Sequence, residues 1–152
     1  MKGHLTSPCL AAAPLVALAL CLAMSVGCDG STKREAASVV AAVDQFRRAD
    51  NAARPSRVEA LRALRCSAAD VCRARDLCLA SAEPTGQALA LKAEVEGALA
   101  RVERGELAPT SPEAKALPAK LDEAQALLDR GHEALGACDD AILGLKRTYA
   151  IH

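Results

Sequence analysis

The sequence predicts an all-α protein: an antiparallel three- or four-helix bundle with a long C-terminal helix, following an N-terminal signal peptide. Three observations carry this. Of 152 residues 51% are apolar, yet there is one Phe, one Tyr and no Trp. The apolar half is therefore mostly Ala, Leu and Val, a mix suited to helices packing closely through small side chains and unsuited to a β-sandwich or barrel. Apolar residues also recur at three- and four-residue spacing, with no sustained period-two alternation, and helix-start and helix-stop signals alternate along the chain. The length fits one domain.

The first element is a targeting segment. Residues 1–28 contain one charged side chain, Lys2, and from Leu10 to Val26 the chain is apolar or small apart from Pro14 and Ser25. A basic start, an apolar run and small residues at its end make a signal peptide over 1–27. As a retained membrane anchor the run of about 17 residues stands at the lower limit, and Pro14 disturbs it. Ser25-Val26-Gly27-Cys28 resembles the lipobox of bacterial lipoproteins, with Ser25 where Leu is commonest. The resemblance covers residues 1–28 and implies that Cys28 receives a diacylglyceryl thioether and becomes the mature, acylated N-terminus, followed by a tether over 28–32. It implies a bacterial envelope location facing the periplasm, with membrane lipid as the partner of the anchor and an envelope protein as a candidate partner of the domain. Asp29 resembles the inner-membrane retention signal of enteric bacteria. Cleavage of the ordinary type would instead leave Cys28 a plain thiol.

Helix signals then organise residues 33–152. Thr32–Glu35, Ser56–Glu59 and Thr110–Glu113 fit the capping box, and Ser67–Asp70 is an acidic variant. Pro55, Pro84 and Gly105 with Pro109 read as stops. Together these predict helices at about 33–53, 57–82, 86–104 and 112–148. The first offers Ala36, Val39, Val43 and Phe46 as its apolar face; the third offers Ala88, Leu91, Val95, Ala98 and Val102. The fourth carries a heptad seam of Leu117, Leu121, Ala124, Leu128, Gly131, Leu135, Cys138, Ile142, Leu145 and Tyr149. Pro118 predicts a late start or a bend there. Short connections favour the closed bundle; a long dimeric coiled coil is the second reading.

Charge balance excludes one class of function. There are 19 basic and 19 acidic side chains; without Lys2 the mature chain has 18 against 19, a net of −1. Nucleic acid, which demands a basic surface, is not an expected partner, and the missing aromatics remove stacking platforms. Residues 47–82 nevertheless hold eight Arg, while 83–140 hold twelve acids against six basic residues. Docking of the Arg-rich segment on an acidic one accounts for this; a patch at Arg62 and Arg65 lying on anionic headgroups is the sharper reading.

Cys9 and Cys21 leave with the signal, and Cys66, Cys72, Cys78 and Cys138 remain, an even number in an exported chain. This reads as two disulfides. Residues six apart on one helix are separated by about 10 Å and cannot bridge. A fresh helix starting at Ser67 leaves Cys66 in a break, free to fold back on Cys72, and Cys78 then pairs with Cys138. The longer bridge is worth about 4 kcal/mol in chain entropy. The spacings do not suit zinc, and there is no Cys-x-x-Cys.

No catalytic residues are assigned. His132 falls beside the seam, on the flank of its helix, the only methionines (Met1 and Met24) lie in the signal, and there is no phosphate loop or nucleophile elbow. No cofactor and no metal are expected. The sequence thus points to a lipid-anchored binding or structural module; a small-ligand or metal-binding bundle is the alternative.

Overall fold

The computed structural model describes the backbone from Val26 to His152 and side chains from Gly30 onward. The expected signal peptide, and the Cys28 side chain with its expected acylation, lie outside the described residues. What is described is all helical: α1 Val26–Arg48, α2 Arg54–Arg62, α3 Ala69–Glu103, α4 Pro112–Glu133 and α5 Leu135–Tyr149. Residues Thr32–His152 form one compact unit.

The expected apolar face of α1 is buried, with Val40 added to Ala36, Val39 and Val43 and with Phe46 partly covered. The helix stops at Arg48 because Asp50 turns the chain, its carboxylate accepting from the Ala53 N–H at 2.8 Å. Pro55 accordingly does not end the first helix; it opens α2, in the first turn where its missing N–H costs nothing. Val58 and Leu61 of α2 are buried. Val58 presses on Gly86 of α3, where an added Cβ would meet its methyl at 3.0 Å.

The second helix breaks, as the cysteine spacing requires. Residues 63–68 are non-helical, and Cys66 reaches Cys72 across a Cα–Cα distance of 5.3 Å, against a rise of about 9 Å on a continuous helix. Arg75 donates to the Leu64 carbonyl at 2.8 Å and holds the break against α3. The expected stop at Pro84 is overturned: α3 runs through it for 35 residues. Pro84 removes the donor to the carbonyl of Ala80, but Ala80 is exposed, so water can take that bond. Contacts just before and after it, at Ser81 and Gly86, hold the helix in line. The apolar face expected for 86–104 survives intact, with Ala88, Val95 and Ala98 buried and Leu91 and Val102 partly so.

Gly105, at φ +75°, ends α3 as expected. The Glu106 N–H bonds back to Arg101 and that of Gly105 to Val102, a Schellman stop. The next cap is Ser111 rather than Thr110: its hydroxyl accepts from the Ala114 N–H at 3.1 Å, with Pro112 as the first helical residue. The helix starts there and not beyond Pro118, which lies inside it. The long final helix is interrupted once, at Ala134, between Gly131 and Gly136, giving α4 and α5.

The four expected capping boxes do not form as such. Thr32 lies inside α1; the Ser56 hydroxyl donates to the Ala53 carbonyl; Glu113 pairs with Arg101. Ser67 and Glu35 find each other instead, across the bundle.

Contacts fix the topology. Arg101–Glu113, Glu94–Lys120 and Ser81–Gly131 place α4 antiparallel to α3. Cys78–Cys138 and Asp70–Tyr149 continue that pairing into α5. Arg62–Glu83 and Val58–Gly86 lay α2 antiparallel on α3, and Arg47–Asp139 with Lys146–Asp44 lays α1 antiparallel on α5. The main core therefore lies where α1, α2, α5 and the first half of α3 meet, and smaller apolar clusters continue along α3 and α4. In α4 the buried line is Leu117, Ala124, Leu127 and Gly131. The expected seam members Leu121, Leu128 and Leu135 are exposed, because α4 turns Leu127 rather than Leu128 towards α3.

Candidate functional site

At the cross-linked end, Glu35 of α1 reaches the first residues before α3. Its carboxylate accepts the Ser67 N–H at 2.7 Å and the Ser67 hydroxyl at 2.9 Å. These bonds, the backbone one foremost, hold the Glu35 carboxyl below the usual carboxylate range against the opposing effect of burial. A carboxylate at a helix N-terminus also meets its positive end. Asp70, in the first turn of α3, accepts the Tyr149 hydroxyl at 2.8 Å. Between α3 and α5, beside this bond, runs an open groove of about 450 Å³ floored by Ala74, Ala141 and Gly144 and flanked by Arg73 and Asp140.

A second groove, of about 440 Å³, opens where the end of α1 meets the α3–α4 crossing. Phe46 forms one wall, with the Arg54 guanidinium 5.8 Å above its ring centroid; Leu128 and Leu135 form the other. Arg54 donates to the Ala49 carbonyl at 3.2 Å, and Arg47 is paired with Asp139. At the base the Ser81 hydroxyl donates to the Gly131 carbonyl at 2.7 Å, and Thr85 donates to Ser81 O at 2.9 Å. Only glycine allows this approach: a Cβ on Gly131 would stand 2.6 Å from the Thr85 hydroxyl and 2.9 Å from the Ser81 carbonyl. A narrow slot beside Phe46 leads on to Cys78 and Cys138.

The residues singled out from sequence fall as follows. Cys66–Cys72 and Cys78–Cys138 are both bonded, in the expected pairing. The first bridge is partly exposed and the second buried. Arg62 is gripped by Glu59 and Glu83, which raise its pKa further, while Arg65 is exposed and makes no ion pair among the described residues. The Arg62–Glu83 pair joins α2 to the acidic half of the chain, the docking that the charge segregation predicts. His132 is exposed on the rim of the second groove, and no hydrogen bond joins it to Ser81. Sequence reasoning missed the Phe46–Arg54 pair, because its partners come from different elements. Among the described residues, no group of three His, Cys, Asp or Glu side chains stands ready to hold a metal ion, and no helix is long and apolar enough to cross a membrane.

Fold and cross-links together define a disulfide-stapled all-α bundle with open interhelical grooves. No protein-family model matches the chain, and no curated protein or solved structure proved similar to it.

Proposed function

We propose that the chain is a lipid-anchored helical module of the bacterial envelope, acylated on Cys28 and facing the periplasm, which acts by binding rather than by catalysis. One observation carries the reading. All four cysteines downstream of Cys28 are consumed in two bridges, a use of cysteine that belongs to oxidising compartments. None is left to pair with Cys28, the residue that closes the lipobox-like Ser25-Val26-Gly27-Cys28. Two or three acyl chains there hold a protein firmly, at about 0.8 kcal/mol per buried CH₂.

An intact-mass measurement on the membrane fraction tests this. The expected product begins at Cys28, carries a diacylglyceryl-sized increment on that residue and lacks the four hydrogens of two disulfides. Cys28→Ala should move the protein to the soluble fraction. An unmodified Cys28 in the mature protein overturns the reading. A second reading, a small-ligand-binding bundle, is favoured by the open groove beside Phe46; a reproducible added mass in the native spectrum would support it.

A further inference from the structure

The two bridges differ in what surrounds them. Cys78 and Cys138 are 2% and 3% exposed and belong to the main core, with Val43, Leu61 and Ala82. Cys66 and Cys72 are partly exposed, and Cys66 packs on the outside of the same core. Thiol–disulfide exchange needs a thiolate to reach a sulfur atom of the bridge, so access separates labile bridges from structural ones. The two also differ in reach. A cross-link over 6 residues restrains little of the chain, whereas the one over 60 ties α3 to α5. Opening the first leaves the bundle standing, with α3 and α5 still joined by the second.

What the first bridge does hold is local. Residues 63–68 contain neither Gly nor Pro, so nothing in the segment itself stops a helix. Among the described residues, no N–H from Arg65 to Ser67 donates to a backbone carbonyl. The path of the segment is held instead by three ties: the Leu64 carbonyl on Arg75, Cys66 on Cys72, and Ser67 on Glu35. Leu64 and Ala68 add partly buried apolar contacts. The bridge is the covalent tie and stands between the other two. The Glu35–Ser67 bonds, which join α1 to the start of α3, are exposed, and exposed hydrogen bonds exchange readily for bonds to water. They keep their partners because the bridge keeps the segment in place.

We propose that Cys66–Cys72 is a redox-sensitive clasp, opened by a dithiol while Cys78–Cys138 stays closed, and that its opening frees residues 63–68 from α1 and α3. One thiolate of the dithiol attacks a sulfur of the bridge. The S–S bond breaks, and the departing cysteine sulfur keeps the electron pair and takes up a proton. The second thiol of the dithiol, having lost its proton, attacks the mixed disulfide and expels the other cysteine. Two electrons and two protons thus pass to Cys66 and Cys72, and the dithiol leaves as a disulfide. The oxidised form of the same class of partner runs these steps backwards and closes the clasp. The inference uses the two bridges and does not rest on acylation at Cys28.

Dithiothreitol, added to the oxidised full chain in native buffer and quenched at intervals with iodoacetamide, tests this. Peptide masses should show Cys66 and Cys72 alkylated at least about 100-fold faster than Cys78 and Cys138, while the far-UV circular dichroism stays that of a helical bundle. Hydrogen exchange read by mass spectrometry should quicken at least about tenfold over 63–68 and stay unchanged in α4 and α5. Both changes should reverse when oxidised glutathione replaces dithiothreitol. Cys66→Ala with Cys72→Ala should show the faster exchange without reductant and no further change with it. The proposal is overturned if all four cysteines are alkylated together or if Cys78–Cys138 opens first. It is equally overturned if residues 63–68 exchange at one rate whether the clasp is open or closed.

Discussion

Gly131 has no side chain, and the α3–α4 crossing depends on that. The Thr85 hydroxyl can rotate away from an added methyl, but the Ser81 carbonyl, 2.9 Å from it, belongs to the backbone of α3. Gly131→Ala should therefore cost about 1–2 kcal/mol net of the better helix propensity of alanine. Gly144 is also helical and has nothing within 4 Å of the same position, so Gly144→Ala should gain about 0.5–1 kcal/mol. Urea unfolding of the two variants reads the opposite signs. At this scale the sequence was half legible. Ala124 and Gly131 stand in a heptad seam and invite close approach, but heptad arithmetic admits both Leu127 and Leu128. Only the partner helix decides which is buried, and α3 takes Leu127.

Between elements, the telling contact is the Glu35 carboxylate on Ser67 at the start of α3. A short sequence motif pairs residues three apart, and it pointed to Thr32 with Glu35 and Ser67 with Asp70. The bundle instead joins one half of each motif to the other, because the break at 63–68 leaves the amides before α3 unpaired just where α1 passes. The folded-state pKa of Glu35 is depressed, so its contribution is complete above the unfolded value and is lost as pH falls through the folded one. Thermal unfolding followed from about pH 5 down to pH 2 should show Tm falling, with a shallower fall in Glu35→Gln, which has no proton to gain there. Pro84 teaches the same lesson. Local rules stop a helix at proline, and those rules cannot see the contacts of Val58 on Gly86 and Ser81 on Gly131 that anchor the helix on either side of it. The break ahead of Cys72, by contrast, was legible, because covalent geometry forbids a bridge between residues six apart on one helix.

For the whole molecule the two bridges differ in reach. One spans 6 residues and the other 60, and chain entropy then assigns them about 2 and 4 kcal/mol. Replacing each pair by alanine should lower the urea-derived stability by about those amounts, more for Cys78 and Cys138, whose loss also opens a gap in the main core. All-α architecture followed from composition and periodicity, the cross-links from cysteine spacing, and the antiparallel order from the short connections. The grooves did not, since each is lined by residues that only the packing of separate helices brings together. The Cys78–Cys138 bridge has one more consequence, a mechanical one. A pull on the two ends of the bundle travels through α1, α2 and the start of α3, crosses the sulfur bridge and leaves through α5. The arm from Leu79 to Ala137, with its exposed leucines, lies outside that load path and keeps its shape while the rest is under tension.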